Sequence, residues 1–312
     1  MLLPTHGHAR WLGAAIIACF LGTAALAETS GTPPPAVVGA TESTDPSGPQ
    51  SAIDRRRAEE LAAKESRFAI TPYKPNYLLP LSYNANPDKS FEDLDRWEIK
   101  FQLSLRLEIT QNVFGTGGNL HFGYTQQSYW QALNSDISSP FRETNYEPEI
   151  MWSYFRPKAE GGLQSRGVIL GFSHQSNGRT VPLSRSWNRL YANFIFEYEN
   201  FYFSLKPWYR IPEDAKSDPL DASGDDNPDI LDYMGRGEVL AMWALGDQRV
   251  GLLLRNNLKS DNKGATQLDW SFPIGTRMLG YMQYFYGYGE SLIDYNHRVN
   301  RLSIGIMLNN WL

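Results

Sequence analysis

Three polar side chains in one short stretch have the types and spacing to activate a hydroxyl. In segment 166–177 (RGVILGFSHQSN), His174 and Ser176 share alternate parity with Val168, Leu170 and Phe172. In extended chain all five project from one face. A serine hydroxyl is a weak nucleophile until a base takes its proton, which a neutral imidazole can do. A third group must then fix the tautomer and orientation of the ring. Asn188 can fill that place, since it shares the parity of Leu190, Ala192, Phe194 and Phe196 in segment 187–199. A hairpin symmetric about Val181 sets Asn188 opposite His174, with Cβ atoms about 4.5–5.5 Å apart. An amide oxygen orients the ring without placing a carboxylate on an apolar surface. His121 has the opposite parity and His297 adjoins a loop, so His174 is the histidine with a serine beside it on an apolar face.

The elements that must carry this group are strands. Trp97, Ile99, Phe101, Leu103, Leu105, Leu107 and Ile109 alternate without a break with Glu98, Lys100, Gln102, Ser104, Arg106 and Glu108. That run exceeds the roughly 9–11 residues a tilted strand needs to cross a bilayer. Similar alternation recurs over 76–84, 95–109, 120–131, 146–156, 166–177, 187–199, 201–211, 233–245, 249–258, 265–273, 277–288 and 297–311. Twelve segments is an even number, as an antiparallel barrel with both ends on one side requires. Longer connections (132–145, 178–186, 212–232, 259–264, 289–296) alternate with tight ones at Asn200, 246–248 and Gly275. This predicts an all-β fold, a 12-stranded antiparallel transmembrane β-barrel of the outer membrane, although packed soluble sandwiches would also supply many strands. In a membrane barrel the apolar face is the outer one, so Ser176, His174 and Asn188 would face lipid, where polar groups are costly.

Composition agrees. Hydrophobic residues make up 42% and aromatics 13% of 312 residues, and mean hydropathy is negative. That excludes a bundle of membrane helices but not a barrel, whose apolar residues need only alternate. Residues 1–27 resemble a secretory signal: Arg10, an apolar stretch from Trp11 to Ala24, and Ala25-Leu26-Ala27 before Glu28. Cys19, the single cysteine, falls inside it, so no disulfide is expected. A lipoprotein reading of Ile17-Ala18-Cys19 competes, but the apolar run continues past the cysteine. Loss of that segment moves the net charge from -5 to -6. With no basic stripe, nucleic acid is not an expected partner. Residues 28–69 are predicted to be a disordered or linker-like leader, with 52–66 either a short charged helix or a solvated linker end. The barrel is expected over 70–312.

Several longer stretches are similar to the outer-membrane phospholipase A family. They are 174–179 (HQSNGR), 184–189 (SRSWNR), 138–148 (SSPFRETNYEP), 225–229 (DDNPD) and 289–295 (GESLIDY). The resemblance covers most of 70–312 and implies a calcium-dependent phospholipase, active as a homodimer. Such an enzyme hydrolyses phospholipid acyl esters at the A1 and A2 positions, and lysophospholipids. It implies Ser176 as nucleophile, His174 as general base and acid, Asn188 as the orienting group and the Gly178 N–H as oxyanion donor. By the same resemblance the Ca2+ ligands are the Ser184 side chain, the Arg179 carbonyl and the Ser138 carbonyl of the partner copy. Val181 stands where the family can carry a calcium-binding Asp, which leaves Asp226 as a further candidate. Gln175, between His174 and Ser176, stands where Asp is familiar, with inward parity.

Gln126 shares the outward parity of Leu120, Phe122, Tyr124 and Trp130. An amide in lipid is relieved by bonding to a partner barrel, so Gln126 is expected at a dimer contact; a local register slip is the alternative. A non-enzymatic barrel, a narrow pore or a structural protein with Ser176 and His174 in a polar contact patch, is the competing function. Mixed lumenal charge (Glu98, Lys100, Arg106, Glu108) suits a filled interior better than a pore.

Overall fold

The computed structural model describes residues 51–63, 70–88, 90, 93–275 and 278–309. The expected signal segment with Cys19, most of the leader and the terminal Trp311-Leu312 lie outside them. Thirteen strands follow in chain order: β1 (Ile70–Pro72), β2 (Asn76–Asn84), β3 (Trp97–Thr110), β4 (Asn119–Trp130), β5 (Phe141–Phe155), β6 (Gln164–Ser176) and β7 (Ser186–Tyr198). After these come β8 (Phe201–Ile211), β9 (Gly237–Leu245), β10 (Gln248–Asn256), β11 (Gly264–Ile274), β12 (Met278–Gly287) and β13 (Val299–Asn309).

All pairings are antiparallel between neighbours, and β13 pairs with β2, so the sheet closes. Closure leaves no unpaired edge, the condition for strands to cross a membrane. The short β1 pairs with the far end of β3, Ile70 opposite Leu107, where β2 no longer reaches. β1 and β2 thus share one position, and the barrel is twelve-stranded. The register between β2 and β3 shifts between Leu79 and Ser82. Pro80 lies in that gap, and a proline there has no N–H for the ladder.

Parity sorts the side chains as a membrane barrel requires. Leu103, Leu105, Leu107, Leu170, Leu190 and Leu205 are exposed on the outside, while Glu98, Lys100, Ser104, Ser173 and Arg166 are buried within. The interior is knitted by ion pairs. Arg142 bridges Glu98 and Asp294 at 2.6 Å each. Glu290 takes Lys100 and Arg301 at 2.8 Å each. Lys74 joins Glu147 at 2.6 Å and Glu149 at 2.7 Å. Each of these carboxylates has a cation against it, which offsets its desolvation. A cavity of about 310 Å³ remains, lined among others by Lys74, Lys100, Glu147, Arg189 and Arg255.

Three elements differ from the periodicity. β5 begins at Phe141 rather than 146 because Arg142 is drawn inward to Glu98 and Asp294, partners no local pattern announces. A short helix (Ile230–Met234) stands where a strand was expected to begin, and β9 starts only at Gly237. Residues Ala52–Ala63 form a helix, α1, before β1 at the short-turn end. Ser51 caps it, accepting from the Ile53 N–H at 3.2 Å. Ser51 also donates to Glu197 at 2.9 Å, and Asp54 meets Arg166 at 2.5 Å. The burial of this first turn is decided by lumenal charges on β6 and β7, far away in sequence.

Candidate functional site

The β6–β7 hairpin sets His174 opposite Asn188. The His174 Nδ1–H donates to Asn188 Oδ1 at 2.9 Å. Ser176 lies two residues along the same outer face, opposite Ser186 on β7 and Tyr146 on β5. All three polar residues are half-buried and flanked by exposed Phe172 and Leu190. With Nδ1 engaged as donor, Nε2 carries the lone pair that a general base needs. Gln175 points the other way, accepting from Trp187 Nε1 inside the barrel at 2.8 Å.

Beyond Ser176 the chain turns sharply. Gly178 has φ +64°, and an added Cβ there would meet the Tyr146 ring at 3.3 Å. Glycine alone takes this left-handed conformation without cost. Asn177 is buried and ties the loop: its Nδ2 donates to Leu183 O at 2.9 Å, and its Oδ1 accepts from Arg185 N at 3.0 Å.

The neighbouring loops are assembled by the stretches singled out in the sequence. Asp225 pairs with Arg210 at 2.5 Å, Asn227 accepts from the Ser186 N–H at 3.1 Å, and Asp229 accepts from Tyr295 Oη at 2.5 Å. Between them Asp226 accepts from Ser184 Oγ at 2.5 Å and pairs with Lys216. Arg179 donates through Nη1 to Arg142 O at 2.7 Å, and Ser138, at φ +62°, is exposed on the loop between β4 and β5. Among the described residues no cluster of three or more His, Cys, Asp or Glu side chains could hold a metal. A cation here would rest on hydroxyl and carbonyl oxygens, with Asp226 the carboxylate beside Ser184. Hard oxygens of this kind suit calcium.

Gln126 stands opposite Leu103 and Tyr146 in unbroken register, so its side chain is on the outer face. It accepts from Tyr124 Oη and donates to Ser128 Oγ, both at 3.2 Å, and Ser128 is linked to Thr144 at 3.1 Å. A polar row therefore runs across β4 and β5 toward Ser176. Glu213 was not foreseen. Its Oε1 accepts from Asn188 Nδ2 at 3.2 Å. Ile211 lies opposite Asn188, and Glu213 continues the outward parity of Ile211 past the end of β8, which is the signal that would have found it.

A closed barrel with an apolar outer belt, a charged filled lumen and alternating long and short connections is a transmembrane β-barrel of the outer-membrane kind. This one carries a hydrogen-bonded His/Asn pair with a serine beside it on the lipid side. The model of the family described as phospholipase A1 matches residues 53–308, and the chain belongs to that family. It is 38% identical over 262 residues to phospholipase A1 of Escherichia coli strain K12, covering 81% of this chain and 86% of that one. With a phospholipase A1 assigned in Neisseria meningitidis serogroup B it shares 40% identity, over 78% of this chain and 66% of the other. Among solved structures, outer membrane phospholipase A from Escherichia coli superposes with a TM-score of 0.74 at 37% identity, covering 82% and 97% of the two chains. The Salmonella typhi outer membrane phospholipase dimer with bound calcium gives 0.71 at 37% identity, covering 79% and 94%.

Proposed function

We propose that this chain is a calcium-dependent outer-membrane phospholipase, active as a homodimer, that cleaves acyl esters of phospholipids at both glycerol positions and of lysophospholipids. The observation that carries this reading is the His174–Asn188 hydrogen bond on the lipid-facing surface beside Ser176. A pore would leave its functional groups in the lumen, whereas here the lumen is occupied by ion pairs.

In this reading Ser176 Oγ attacks the ester carbonyl while His174 Nε2 takes its proton. The resulting imidazolium is held by Asn188 and gives that proton to the departing glycerol oxygen. Water, deprotonated by His174, then releases the fatty acid from acyl-Ser176. The Gly178 N–H, turned by its left-handed φ, would donate to the tetrahedral oxyanion. Calcium, held by Ser184 Oγ, the Arg179 carbonyl and the Ser138 carbonyl of a second copy, would supply positive charge near that oxyanion. Asp226, next to Ser184, is the candidate to add a carboxylate where Val181 offers none.

Acyl release from mixed phospholipid–detergent micelles, with calcium or EDTA, tests this reading. Lipids labelled at either acyl position should both release label with calcium and neither with EDTA. Label from one position only would remove the dual specificity, and no release by folded protein would overturn the enzyme reading. A separate expectation concerns the outer polar row. Gln126→Leu should lower the calcium-dependent dimer fraction in detergent several-fold, on the scale of the ~0.6–2 kcal/mol of an interhelical polar contact in membranes. Cross-linking that finds an unchanged dimer fraction would dismiss that role.

A further inference from the structure

The geometry points to Glu213 as a positioning residue that fixes the Asn188 amide, an inference that rests on the Ser176/His174/Asn188 reading. Asn188 has two ends. Its Oδ1 faces His174 Nδ1 at 2.9 Å, and its Nδ2 faces Glu213 Oε1 at 3.2 Å. A carboxylate accepts hydrogen bonds and cannot donate them, so Glu213 holds the NH2 end and forces the oxygen toward the imidazole. A rotated amide would present N–H to Nδ1, favour the tautomer with the proton on Nε2, and leave Ser176 without a base. Asn188 is neutral, so it orients the ring but adds no charge. Glu213 places a carboxylate one hydrogen bond further out, behind the Asn188 amide.

The placement follows from the fold. Asn188 on β7 lies opposite Ile211, the last residue of β8, and Glu213 is the next residue of outward parity in the loop that follows. That loop also carries Lys216, Asp225 and Asp226. The nearby cations are engaged elsewhere. Lys216 is on Asp226, Arg210 on Asp225, and Arg189 on Glu147. Arg185 donates to the carbonyls of Pro182 and Ser184, and Arg179 to that of Arg142. They remain the same in a Glu213 variant, so a difference in kcat reports on Glu213.

Two variants separate acceptor from charge. Glu213→Ala removes both, whereas Glu213→Gln keeps an oxygen for Asn188 and loses the charge. In the calcium micelle assay, Glu213→Ala should lower kcat about 10-fold, the lower end of the loss seen when the outer hydrogen-bond partner that orients a metal-bound side chain is removed, with KM within about twofold. Glu213→Gln should restore kcat to within about threefold of wild type. In both, the loss should fall on kcat rather than KM, because Glu213 touches Asn188 and the geometry gives it no contact with substrate. Heat-modifiable migration on gels confirms that each barrel is folded, and the glutamine variant still tests the charge should the alanine variant fail to fold. Wild-type kcat in both variants would overturn the proposal. So would equal losses in both that fall on KM, which would mark a merely structural loop contact. Ser176→Ala in the same assay tests the underlying triad. If it keeps the wild-type rate, both readings fall; if it is inactive while Glu213→Ala is silent, only Glu213 is removed.

Discussion

Ser176→Ala should lower kcat/KM for phospholipid hydrolysis by at least about 10⁴-fold, the scale of losing the nucleophile of a hydroxyl–imidazole pair. The substitution deletes one oxygen from a half-buried site at the end of β6, where Ser176 faces Tyr146 and Ser186 in the register. No ladder hydrogen bond depends on that hydroxyl, so barrel stability should change by less than about 1 kcal/mol, as for substitutions away from packed features. Rate and fold are therefore separable. The measurement is acyl release with calcium, set beside gel migration of heated and unheated protein. Calcium-dependent dimerisation should persist, since the ligands expected for calcium lie on the loops at 138, 179 and 184. A folded Ser176→Ala protein that hydrolyses phospholipid at the wild-type rate would exclude Ser176 as nucleophile.

Glu290→Gln should destabilise the barrel by about 3–5 kcal/mol at pH 7, the cost of breaking a buried ion pair from one side. Glu290 lies in the loop between β12 and β13 and reaches into the lumen, where it meets Lys100 and Arg301 at 2.8 Å each. Arg301 would keep the Glu98 carboxylate at 3.1 Å, but Lys100, fully buried, would be left with neutral amide oxygens alone, that of Gln283 at 2.5 Å and that of the new glutamine, and no carboxylate against its charge. The pH dependence tests the cause. Burial alone would raise the Glu290 carboxyl, but Arg301 and Lys100 outweigh it and hold it down at about 2, against an ordinary 4.5. A carboxyl depressed in the folded state stabilises above its unfolded value, and the contribution is lost as pH falls through the folded one. The difference between wild type and variant should thus be full above pH 4.5 and shrink toward pH 2. Urea unfolding in lipid vesicles across that range measures it. A difference that stays constant with pH would place the effect in packing rather than charge.

These two effects mark what could be read along the chain and what could not. The outer faces of β3, β6 and β7 are legible because a period of two is local: Leu103 and Leu105, or Leu170 and Phe172, announce which side meets lipid. The same parity placed His174, Ser176 and Asn188 on one surface, and a tight hairpin fixes its own register. Inside the barrel the outcome was different. Arg142, Glu98, Asp294, Glu290 and Arg301 come from β5, β3, the loop after β12 and β13, and they meet only because the sheet closes. That meeting extends β5 back to Phe141. Likewise the first turn of the helix at Ala52–Ala63 is buried by Glu197, Tyr202 and Arg166, which nothing in its own composition foretells.

By itself the sequence determined a membrane barrel of twelve alternating segments, its lipid-facing side, and the one strand pair on which a serine, a histidine and an asparagine could act together. Such features depend on neighbours along the chain or across a short turn. Tertiary structure alone decided the lumenal ion-pair network, the pairing of Asp226 with Ser184 and Lys216, and the presence of Glu213 behind Asn188. Charged and hydrogen-bonding groups choose partners by distance in space. In a closed sheet that distance is set by which strands become neighbours and which loops share an end, information that no single segment carries.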